Sequence, residues 1–340
     1  MTSPGHSPTG LAAPIPAVGG SIIAAAFRRA IEAAEAFAGA TAPNPPVGCV
    51  ILDAGGEVLA CEAHRQAGSA HAEAAAIEAC RRAGTDGRIH TVVVTLEPCN
   101  HQGRTPPCVD AILATPAKAV WIGVRDPNPK VAGGGAGRLT AQGLTVRFLD
   151  DLDHPDAASL SQAARRLIAP FRTWSQSGRP WLTLKQAIAA DGGMIPPPGR
   201  TTFTSESSLV LAHRLRRRAD AIITGSGCVL ADNPAFTVRH VTDHAGKRRR
   251  LAILDRRGRT PSSYIREAEA RGFDVRLHDE IPALLTELGG EGVVEALVEA
   301  GPTLLGAFLA QDLWDEQVVI RQSPEAGRPD RIDVLTRQAI

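Results

Sequence analysis

Short, almost continuously apolar segments alternate with helical patterns along the first half of the chain. Apolar residues at helical spacing predict a helix over 21–39 and a second one over 71–83, which stops at Gly84. A short helix is expected after Cys108. Strands are predicted over 47–52, 58–61, 91–96, 118–124 and 144–149. The first half is therefore expected to be an α/β domain with a small sheet and covering helices.

A second β/α series starts at position 181, after a segment that is acidic, then helical, then polar. It has strand patterns over 181–187, 221–225, 251–255 and 293–299 and helical patterns over 207–219 and 303–310. Proline and glycine runs predict loops over 126–129 and 133–137 in the first series. No internal repeat relates the two halves, so they are expected to be different domains. The expected division is a flexible tail over 1–20, a first domain over 21–150, a connection over 151–177 and a second domain over 178–340.

Length and composition describe an ordinary intracellular protein. The 340 residues exceed one typical core, and a net charge of +1 gives no electrostatic reason to expect nucleic acid or membrane binding. Basic clusters at 214–218 and 247–250 are expected to be solvated surface, with phosphate groups of a small substrate as the alternative. The first twenty residues lack the features of a signal peptide, and no run is long enough to span a membrane. The six scattered cysteines predict a reducing, cytoplasmic location.

One group of residues carries specific chemistry. His71 and Glu73 form a His-x-Glu triplet, and Cys99 and Cys108 follow a predicted buried strand. One histidine and two cysteines supply three zinc ligands, which leaves the fourth position of a catalytic site open to water. A His-x-Glu triplet can occur by chance, and a structural zinc would need a fourth ligand such as Cys80 or His101. The triplet and the two cysteines together, in this strand and helix context, favour a catalytic zinc. Helical spacing alone does not place Glu73 at the metal, because positions i and i+2 of a helix point in different directions.

Several motifs together resemble the bifunctional deaminase/reductase family of riboflavin biosynthesis. In the first half they lie at 41–50, 71–73, 95–99, 104–108 and 126–129. The nine-residue step between the cysteines also fits this family, whereas cytidine and tRNA-adenosine deaminases commonly have a step of three. In the second half the matching motifs lie at 184–185, 191–192, 225–234, 237–239 and 299–304.

The resemblance implies an α/β fold with a cytidine-deaminase-like zinc domain followed by a domain similar to dihydrofolate reductase. The first domain would remove the 2-amino group of a phosphorylated diamino-pyrimidinone, and the second would use NADPH to reduce the ribosyl group to ribityl. It further implies a small phosphorylated pyrimidine as substrate, one zinc ion per chain, and a homo-oligomer, either dimer or tetramer. Glu73 would be the catalytic proton carrier and His71, Cys99 and Cys108 the zinc ligands. Asn44 would bind the pyrimidine edge, although a turn residue before proline explains it equally well.

The resemblance also implies two sets of residues in the reductase domain. The cofactor set is Ala187, Phe203, Cys228, Asp232, Gly301, Pro302, Thr303, Leu304, Leu305, Gly306 and Ala307. The substrate set is Lys185, Asp191, Thr201, Arg216, Phe236, Arg239 and Glu299. Arg216 and Arg239 are the expected holders of the 5′-phosphate, although an exposed helix charge is an equal alternative for Arg216.

Departures from the family pattern lie in the reductase half. This chain has Ala189-Ala190 in place of Ser-Leu, Phe203 in place of tryptophan, Cys228 in place of threonine, and Ala300 where glycine is common. They predict a weaker or retuned reductase site, and the alternative is a deaminase whose second half only binds or scaffolds. A nucleic-acid-editing deaminase is disfavoured because the chain is near neutral and only 4% aromatic. A non-enzymatic protein with structural zinc remains the fourth hypothesis.

Overall fold

The computed structural model describes residues 18–101, 106–128, 134–196, 202–325 and 328–337 of the chain. The expected tail over 1–20 lies outside these residues except for its last three positions. Among the described helices, none has the length and apolar character needed to cross a membrane.

A five-stranded sheet organises the first half. Its strands are β1 (Gly48–Leu52), β2 (Val58–Ala63), β3 (Thr91–Leu96), β4 (Ala119–Val124) and β5 (Thr145–Phe148). Its helices are α1 (Gly20–Glu35), α2 (Ala72–Ala83), α3 (Cys108–Leu113) and α4 (Gly134–Ala141). The strand order is β2-β1-β3-β4-β5, with β1 antiparallel to both neighbours and the last three strands parallel. The loops after β3 and β4 therefore emerge at one edge of the sheet.

Both faces of this sheet are covered, which explains why its central strands are continuously apolar. Cys49 and Ile51 of β1 belong to a core with residues of α2 and α3, whereas Val50 between them packs in a second core with Phe27 of α1. Cys80 lies fully buried in the first core. This supports packing, not metal binding, for these two cysteines.

A long helix follows the first sheet. Helix α5 (Ala157–Ser177) begins after Asp156 and ends at Gly178, which has the left-handed backbone that favours glycine. Leu160 packs in the core that α1 shares with the sheet, and Trp174 donates its indole N–H to the carbonyl of Gly289 in the second half. The helix thus contacts both halves of the molecule.

The second half has a seven-stranded sheet. Its strands are β6 (Trp181–Ile188), β7 (Ala221–Gly225), β8 (Arg249–Leu254), β9 (Phe273–His278), β10 (Glu295–Glu299), β11 (Glu316–Arg321) and β12 (Arg331–Thr336). Its helices are α6 (Glu206–Arg218), α7 (Ser226–Asp232), α8 (Ser262–Ala270), α9 (Ile281–Gly290) and α10 (Pro302–Ala310). The order is β12-β11-β6-β10-β7-β8-β9, and all described pairs are parallel except β11 with β12. The carboxyl ends of β6, β7, β8 and β10 consequently share one edge, the usual place for a ligand in such sheets.

The structure corrects the predicted loop over 133–137. Residues 134–137 form the start of α4, while 129–133 lie outside the described residues. Glu97 accepts a hydrogen bond from the backbone N–H of Ala136, at 3.0 Å, and so caps the new helix. A Cβ on Gly135 would lie 2.0 Å from the carbonyl oxygen of Pro98, so glycine is required there by a close approach to the cysteine loop.

The expectation of solvated surface for the two basic clusters is wrong for several of their members. Arg216 and Arg218 pair with the buried carboxylates of Glu299 and Glu295 on β10. Arg249 is itself buried and pairs with Asp243. Buried carboxylates need cationic partners, and the arginine-rich end of α6 supplies them.

Candidate active sites

Three potential metal ligands converge at the edge of the first sheet. His71 is the residue immediately before α2, Cys99 lies in the loop after β3, and Cys108 is the first residue of α3. The Nδ1 atom of His71 lies 3.6 Å from Sγ of Cys99 and 3.4 Å from Sγ of Cys108. All three ligand atoms lie within 4.8 Å of one another.

These distances fit zinc. Bond lengths of ~2.05 Å for Zn–N and ~2.3 Å for Zn–S at a tetrahedral angle separate the nitrogen and sulfur by ~3.6 Å. Within the part of the chain that the structure describes, only His71, Cys99 and Cys108 form such a group. Cys80 and His101 are not members, so these residues do not complete a closed, four-ligand structural site. Three ligands with an open position are typical of catalytic zinc.

The two thiols of this group influence each other strongly. The hydrogen bond from Cys108, followed by that from His71, lowers the pKa of Cys99 to about 4, although burial acts in the opposite direction. The same contact with Cys99, together with burial, raises the pKa of Cys108 far above its ordinary value. The backbone N–H of Cys108 also donates to Sγ of Cys99, at 3.3 Å. One thiolate is therefore stabilised before any metal binds, as a metal ligand requires.

Glu73 faces this group of ligands. It lies in the first turn of α2 and is 3% exposed. Its carboxyl group hydrogen-bonds the Cys108 side chain, and burial raises its pKa above the ordinary value. Helical spacing alone did not show whether Glu73 faces the ligand residues. It does so because α2 begins directly after His71, which places the first turn of the helix beside Cys108.

Glu97 supports the cysteine loop and was not singled out in the sequence. It is 4% exposed and immediately precedes Pro98 and Cys99. Its carboxylate accepts the backbone N–H groups of Asp126, at 3.3 Å, and Ala136, at 3.0 Å. It therefore joins the loops after β3 and β4 to α4 and fixes the position of Cys99. The sequence feature that could have indicated this role is the position of Glu97, a charged residue directly after a buried apolar strand.

Asn44 and His64 form a pair beside the zinc ligands. Nδ1 of His64 lies 3.1 Å from the carbonyl of Ala70 and must donate to it, which leaves Nε2 to accept the amide N–H of Asn44, at 3.3 Å. The His64 ring packs edge-on against the ring of His71, with 5.3 Å between their centroids. Asn44 therefore has a definite orientation beside the three ligand residues. Sequence analysis missed His64 because an isolated histidine carries no pattern.

A cleft of about 1280 Å³ lies at the shared strand edge of the second sheet. Most residues of the two predicted reductase sets line it. From the cofactor set these are Ala187, Phe203, Cys228, Asp232, Gly301, Pro302, Thr303, Leu304 and Ala307, and from the substrate set Lys185, Arg216, Phe236, Arg239 and Glu299. The sequence motifs therefore converge on one cavity although they are spread over more than a hundred positions.

Three predicted residues are not brought into this cleft, and a fourth cannot be placed relative to it. Leu305 points into the hydrophobic core beside Phe308, and Gly306 is exposed on α10 outside the cleft lining. Asp191 is exposed in a turn, where it accepts the backbone N–H of Gly193. Thr201 lies outside the described residues. In α10, the helical turn directs the side chain of Leu305 and the Cα of Gly306 away from the cleft.

Glu299 is the electrostatic centre of the cleft. Its carboxylate accepts Nε and Nη2 of Arg216, at 2.5 and 2.9 Å, and Nζ of Lys185, at 3.3 Å. Burial by itself would raise the pKa of Glu299, but the charges of Arg216 and Lys185 outweigh it and hold the pKa well below the ordinary value. Arg216 is therefore committed to a buried carboxylate.

Arg239 differs from Arg216 because its guanidinium forms no ion pair among the described residues. It is exposed, and its Nη1 donates to the hydroxyl of Thr237, at 2.7 Å. Its backbone N–H donates to Nδ1 of His213, at 2.9 Å, a nearly fully buried histidine on α6. His213 thus fixes the chain that carries Arg239, and it is another cleft residue that the sequence did not indicate.

Cys228, at the position where the family pattern has threonine, makes a hydrogen bond to the backbone. Its Sγ accepts the backbone N–H of Gly301, at 3.0 Å, just before α10. The thiol therefore holds the entrance of α10, a helix whose N-terminal N–H groups are suited to a phosphate.

Arg256, Arg257 and Arg259 also line the cleft, immediately after β8. Arg259 donates to the hydroxyl of Ser226, at 3.2 Å, and all three side chains are exposed. These arginines were not predicted as site residues. Three cationic residues directly after a predicted strand could have indicated a binding site, because ligands bind at the carboxyl ends of parallel strands.

Comparison with protein families divides the chain in the same way. Residues 21–124 match the model described as "Cytidine and deoxycytidylate deaminase zinc-binding region". Residues 180–324 match the model described as "RibD C-terminal domain". Each match contains one of the two sites.

Similar proteins extend over nearly the whole chain. Riboflavin biosynthesis protein RibD of Mycobacterium tuberculosis is 39% identical over 285 residues, which cover 82% of this chain and 79% of that protein. The protein of the same name from Escherichia coli K12 is 33% identical over 324 residues, covering 86% and 85%. Among solved structures, a diaminohydroxyphosphoribosylaminopyrimidine deaminase/5-amino-6-(5-phosphoribosylamino)uracil reductase from Thermotoga maritima has a TM-score of 0.77 at 30% identity, covering 91% of this chain and 89% of that one. Acinetobacter baumannii RibD has a TM-score of 0.75 at 30% identity, with coverage of 92% and 90%.

Proposed function

This chain belongs to the family of riboflavin biosynthesis protein RibD, and from that premise we propose that its two sites act in turn on one phosphorylated pyrimidine. It is a bifunctional α/β enzyme with a zinc-dependent deaminase domain and an NADPH-dependent reductase domain. The first substrate would be 2,5-diamino-6-ribosylamino-4(3H)-pyrimidinone 5′-phosphate. The second would be 5-amino-6-(5-phosphoribosylamino)uracil, whose ribosyl group is reduced to ribityl. The observation that carries the proposal is the convergence of His71, Cys99, Cys108 and Glu73 at one sheet edge.

In the deaminase site, each residue would have a separate task. His71, Cys99 and Cys108 would hold zinc, which when bound supplies a Lewis acid that makes hydroxide available near neutral pH. Glu73 would carry a proton on its carboxylate oxygen to the ring nitrogen and later to the departing ammonia. Asn44, oriented by His64, would hydrogen-bond the edge of the pyrimidine with its amide oxygen.

In the reductase site, NADPH would supply the hydride, and the protein would supply binding and charge. The cofactor would lie along the carboxyl ends of the parallel strands, with a phosphate at the N-terminus of α10. Arg256 and Arg257 would contact the phosphate that distinguishes NADPH from NADH. Lys185, held by Glu299, would donate a hydrogen bond to a sugar oxygen of the substrate.

The 5′-phosphate of the reductase substrate would be held by Arg239 and not by Arg216. The reason is that Arg216 already makes a bidentate contact with Glu299, whereas the guanidinium of Arg239 has, within the described part of the chain, a neutral hydroxyl as its partner. A free, exposed arginine is suited to bidentate phosphate binding.

The two activities can be measured separately on the purified protein. Ammonia release from the first substrate should proceed without NADPH and be lost when zinc is removed by a chelator. NADPH oxidation should require the deaminated compound and should continue in chelated enzyme that is given this compound. Ammonia release with no NADPH oxidation would instead support the alternative, a deaminase with a C-terminal half that does not reduce.

We also propose that the enzyme works as a homodimer in the cytoplasm, a compartment that would keep the thiols of Cys99 and Cys108 reduced. Strand β12 is the edge of the second sheet, and it exposes Ile332, Val334 and Leu335. An exposed apolar edge strand is a surface that another copy of the chain can cover by strand pairing. Val334→Lys should convert the dimer to a monomer in size-exclusion chromatography with light scattering, whereas the substitution Thr145→Lys at an exposed position of β5 should leave the assembly intact. A monomeric wild-type protein would refute the proposal.

A further inference from the structure

The segment that carries Asn44 is held by side chains from the other domain. After α1 ends, residues 36–44 lead to β1 and include a turn in which the backbone N–H of Asn44 donates to the carbonyl of Thr41, at 2.8 Å. The hydroxyl of Thr41 donates back to the carbonyl of Asn44, at 2.9 Å. These two hydrogen bonds close the turn, so a shift at the start of the segment would also displace Asn44, whose amide is in addition held by His64.

Three carbonyl groups at the start of this segment accept hydrogen bonds from the reductase domain. Arg217 donates to the carbonyl of Ala36, at 2.6 Å. Nε2 of His244 lies 2.9 Å from the carbonyl of Ala38, and Nζ of Lys247 lies 2.5 Å from that of Gly39. Carbonyls just past a helix end carry partial negative charge and have no helical partner, so cationic and N–H donors stabilise them.

Lys247 is the central member of this contact. Its side chain is only 8% exposed. Besides the carbonyl of Gly39, its ammonium donates to the carbonyl of Arg218, at 2.8 Å, and to Oδ1 of Asp220, at 3.0 Å. An ammonium has three donors, and all three are used. Lys247 therefore ties the deaminase segment to the end of α6 and to the turn before β7.

Packing on its own does not hold the segment in place. A cavity of about 520 Å³ lies between the two domains beside it, lined by Phe37 and Pro43 on one side and by Gly292 on the other. Gly39 is the exception, because a Cβ there would lie 2.2 Å from the carbonyl oxygen of Arg218. Burial of Thr41, the close approach at Gly39 and the polar bonds to the reductase domain together set the position of the segment.

We propose that Arg217, His244 and Lys247 of the reductase domain are positioning residues of the deaminase, because they fix the segment that presents Asn44 to the pyrimidine. The inference rests on the proposed role of Asn44 in substrate binding. None of the three residues is placed at the zinc ligands, so their loss should weaken substrate binding and leave the metal centre intact.

The decisive variant is Lys247→Met, which keeps the length of the side chain and removes its donors. The KM for deamination should rise about tenfold, the effect of losing one charge-assisted hydrogen bond on a binding segment, with kcat little changed. Zinc content and the reduction of the deaminated compound should match the wild type. Hydrogen exchange of the backbone amides at 40–44 should become faster. Arg248→Met is the matched control, since Arg248 is adjacent and exposed and makes no side-chain bond among the described residues.

A second pair of variants tests the same contact with less risk to folding. His244→Phe keeps a ring but removes the donor to Ala38, whereas His244→Gln retains an N–H at a similar reach. KM should rise in the first variant and return towards the wild-type value in the second. Unchanged KM and unchanged exchange at 40–44 in both Lys247→Met and His244→Phe would overturn the proposal, as would a parallel loss of zinc and of both activities.

Asn44→Ala separates this inference from the function on which it rests. If Asn44→Ala leaves KM unchanged, the role of Asn44 fails, and the exchange rates at 40–44 still decide whether the three residues fix the segment. If Asn44→Ala raises KM but Lys247→Met and His244→Phe do not, only the positioning role fails.

Discussion

The zinc centre and the reductase cleft differ in how far apart in sequence their interacting residues lie. His71 and Cys108 lie at the starts of helices and Cys99 lies three residues after β3, and the backbone N–H of Cys108 donates to the sulfur of Cys99. In the reductase cleft, Glu299 interacts with Lys185 and Arg216, which lie 114 and 83 positions away. The zinc centre is therefore specified by local motifs, whereas the cleft depends on the assembly of the whole second sheet.

The two sites also differ in the electrostatic environment of a buried glutamate. Glu73 forms no ion pair with a basic side chain among the described residues, and burial raises its pKa. Glu299 is held by two cations, which outweigh burial and lower its pKa. A carboxyl group in the first setting is suited to exchanging a proton, whereas one in the second is a fixed negative charge that orients its neighbours.

The largest expected effect is on Glu73. Glu73→Gln should reduce deamination by about 10³-fold, because the amide cannot carry a proton between water and the ring nitrogen. Zinc content, measured by mass spectrometry, and NADPH oxidation with the deaminated compound should remain at wild-type values. Glu78→Gln, on the exposed face of the same helix, is the control and should have no effect. Full ammonia release by Glu73→Gln would remove the proton carrier from the mechanism.

The next effect concerns Glu299. Glu299→Gln leaves Arg216 and Lys185 without their shared charge, so the free energy of unfolding should fall by about 3 kcal/mol in urea titrations. NADPH oxidation should fall with it, while zinc binding persists. Glu267→Gln removes an exposed ion-pair partner on α8 and should cost less than about 1 kcal/mol. Equal losses in the two variants would show that the buried group is not the electrostatic centre of the cleft.

A smaller effect is expected at Arg239. Arg239→Gln should raise the reductase KM about tenfold for the phosphorylated compound and hardly at all for its dephosphorylated analogue, because only the phosphate contact is lost. Arg266→Gln, an exposed arginine on α8, is the control. An equal change for both compounds would assign the effect to folding of the loop and not to phosphate binding.

The elements that sequence patterns predicted best are those with both faces covered. The strands over 91–96 and 221–225 were predicted to the residue, since their apolar runs are bounded by turns. Helix α4 was predicted as a loop because three of its first four residues are glycines. The carboxylate of Glu97, which caps the helix, and the close approach at Gly135 explain why a helix begins there. Strand β12 was missed although Ile332 and Val334 alternate with Arg331 and Asp333, because it lies at a sheet edge and is largely exposed and so lacks the continuous apolar run of the buried strands.

The same reasoning explains which site residues the sequence indicated. His71, Cys99 and Cys108 form a ligand set whose residue types are chemically specific. Arg216 was equally compatible with solvent and with a binding role, because a run of arginines does not reveal which member faces a buried carboxylate. His64 contacts the carbonyl of Ala70, the amide of Asn44 and the ring of His71, and His213 accepts the backbone N–H of Arg239. No spacing rule marks either histidine.

His213 provides the most subtle test, through the pH dependence of stability. Arg216 on its own helix, Arg239 and His240 on the following loop, and Glu299 on β10 are the charged or titratable groups around it. Burial, followed by the nearby cations, lowers the pKa of His213 from 6.5 to about 4. Below pH 6.5 the unfolded chain takes up a proton at this residue that the folded protein does not accept until about pH 4. The contribution of neutral His213 to stability is therefore fully present above pH 6.5 and is lost as the pH falls to about 4.

His213→Asn keeps an acceptor near the backbone N–H of Arg239 but cannot be protonated in this range. The free energy of unfolding of the wild type should fall by about 2 kcal/mol more than that of the variant between pH 7 and pH 5. His154→Asn is the matched control, because Nδ1 of His154 also accepts a backbone N–H, from Asp156 at 3.1 Å, outside the cleft. If His213→Asn and the wild type lose stability in parallel, the imidazole takes up its proton in the folded cleft, and the arginines around it do not act as a repulsive cluster. A smaller loss in the variant would show that the stability of the reductase cleft depends on an uncharged His213 beside the arginines.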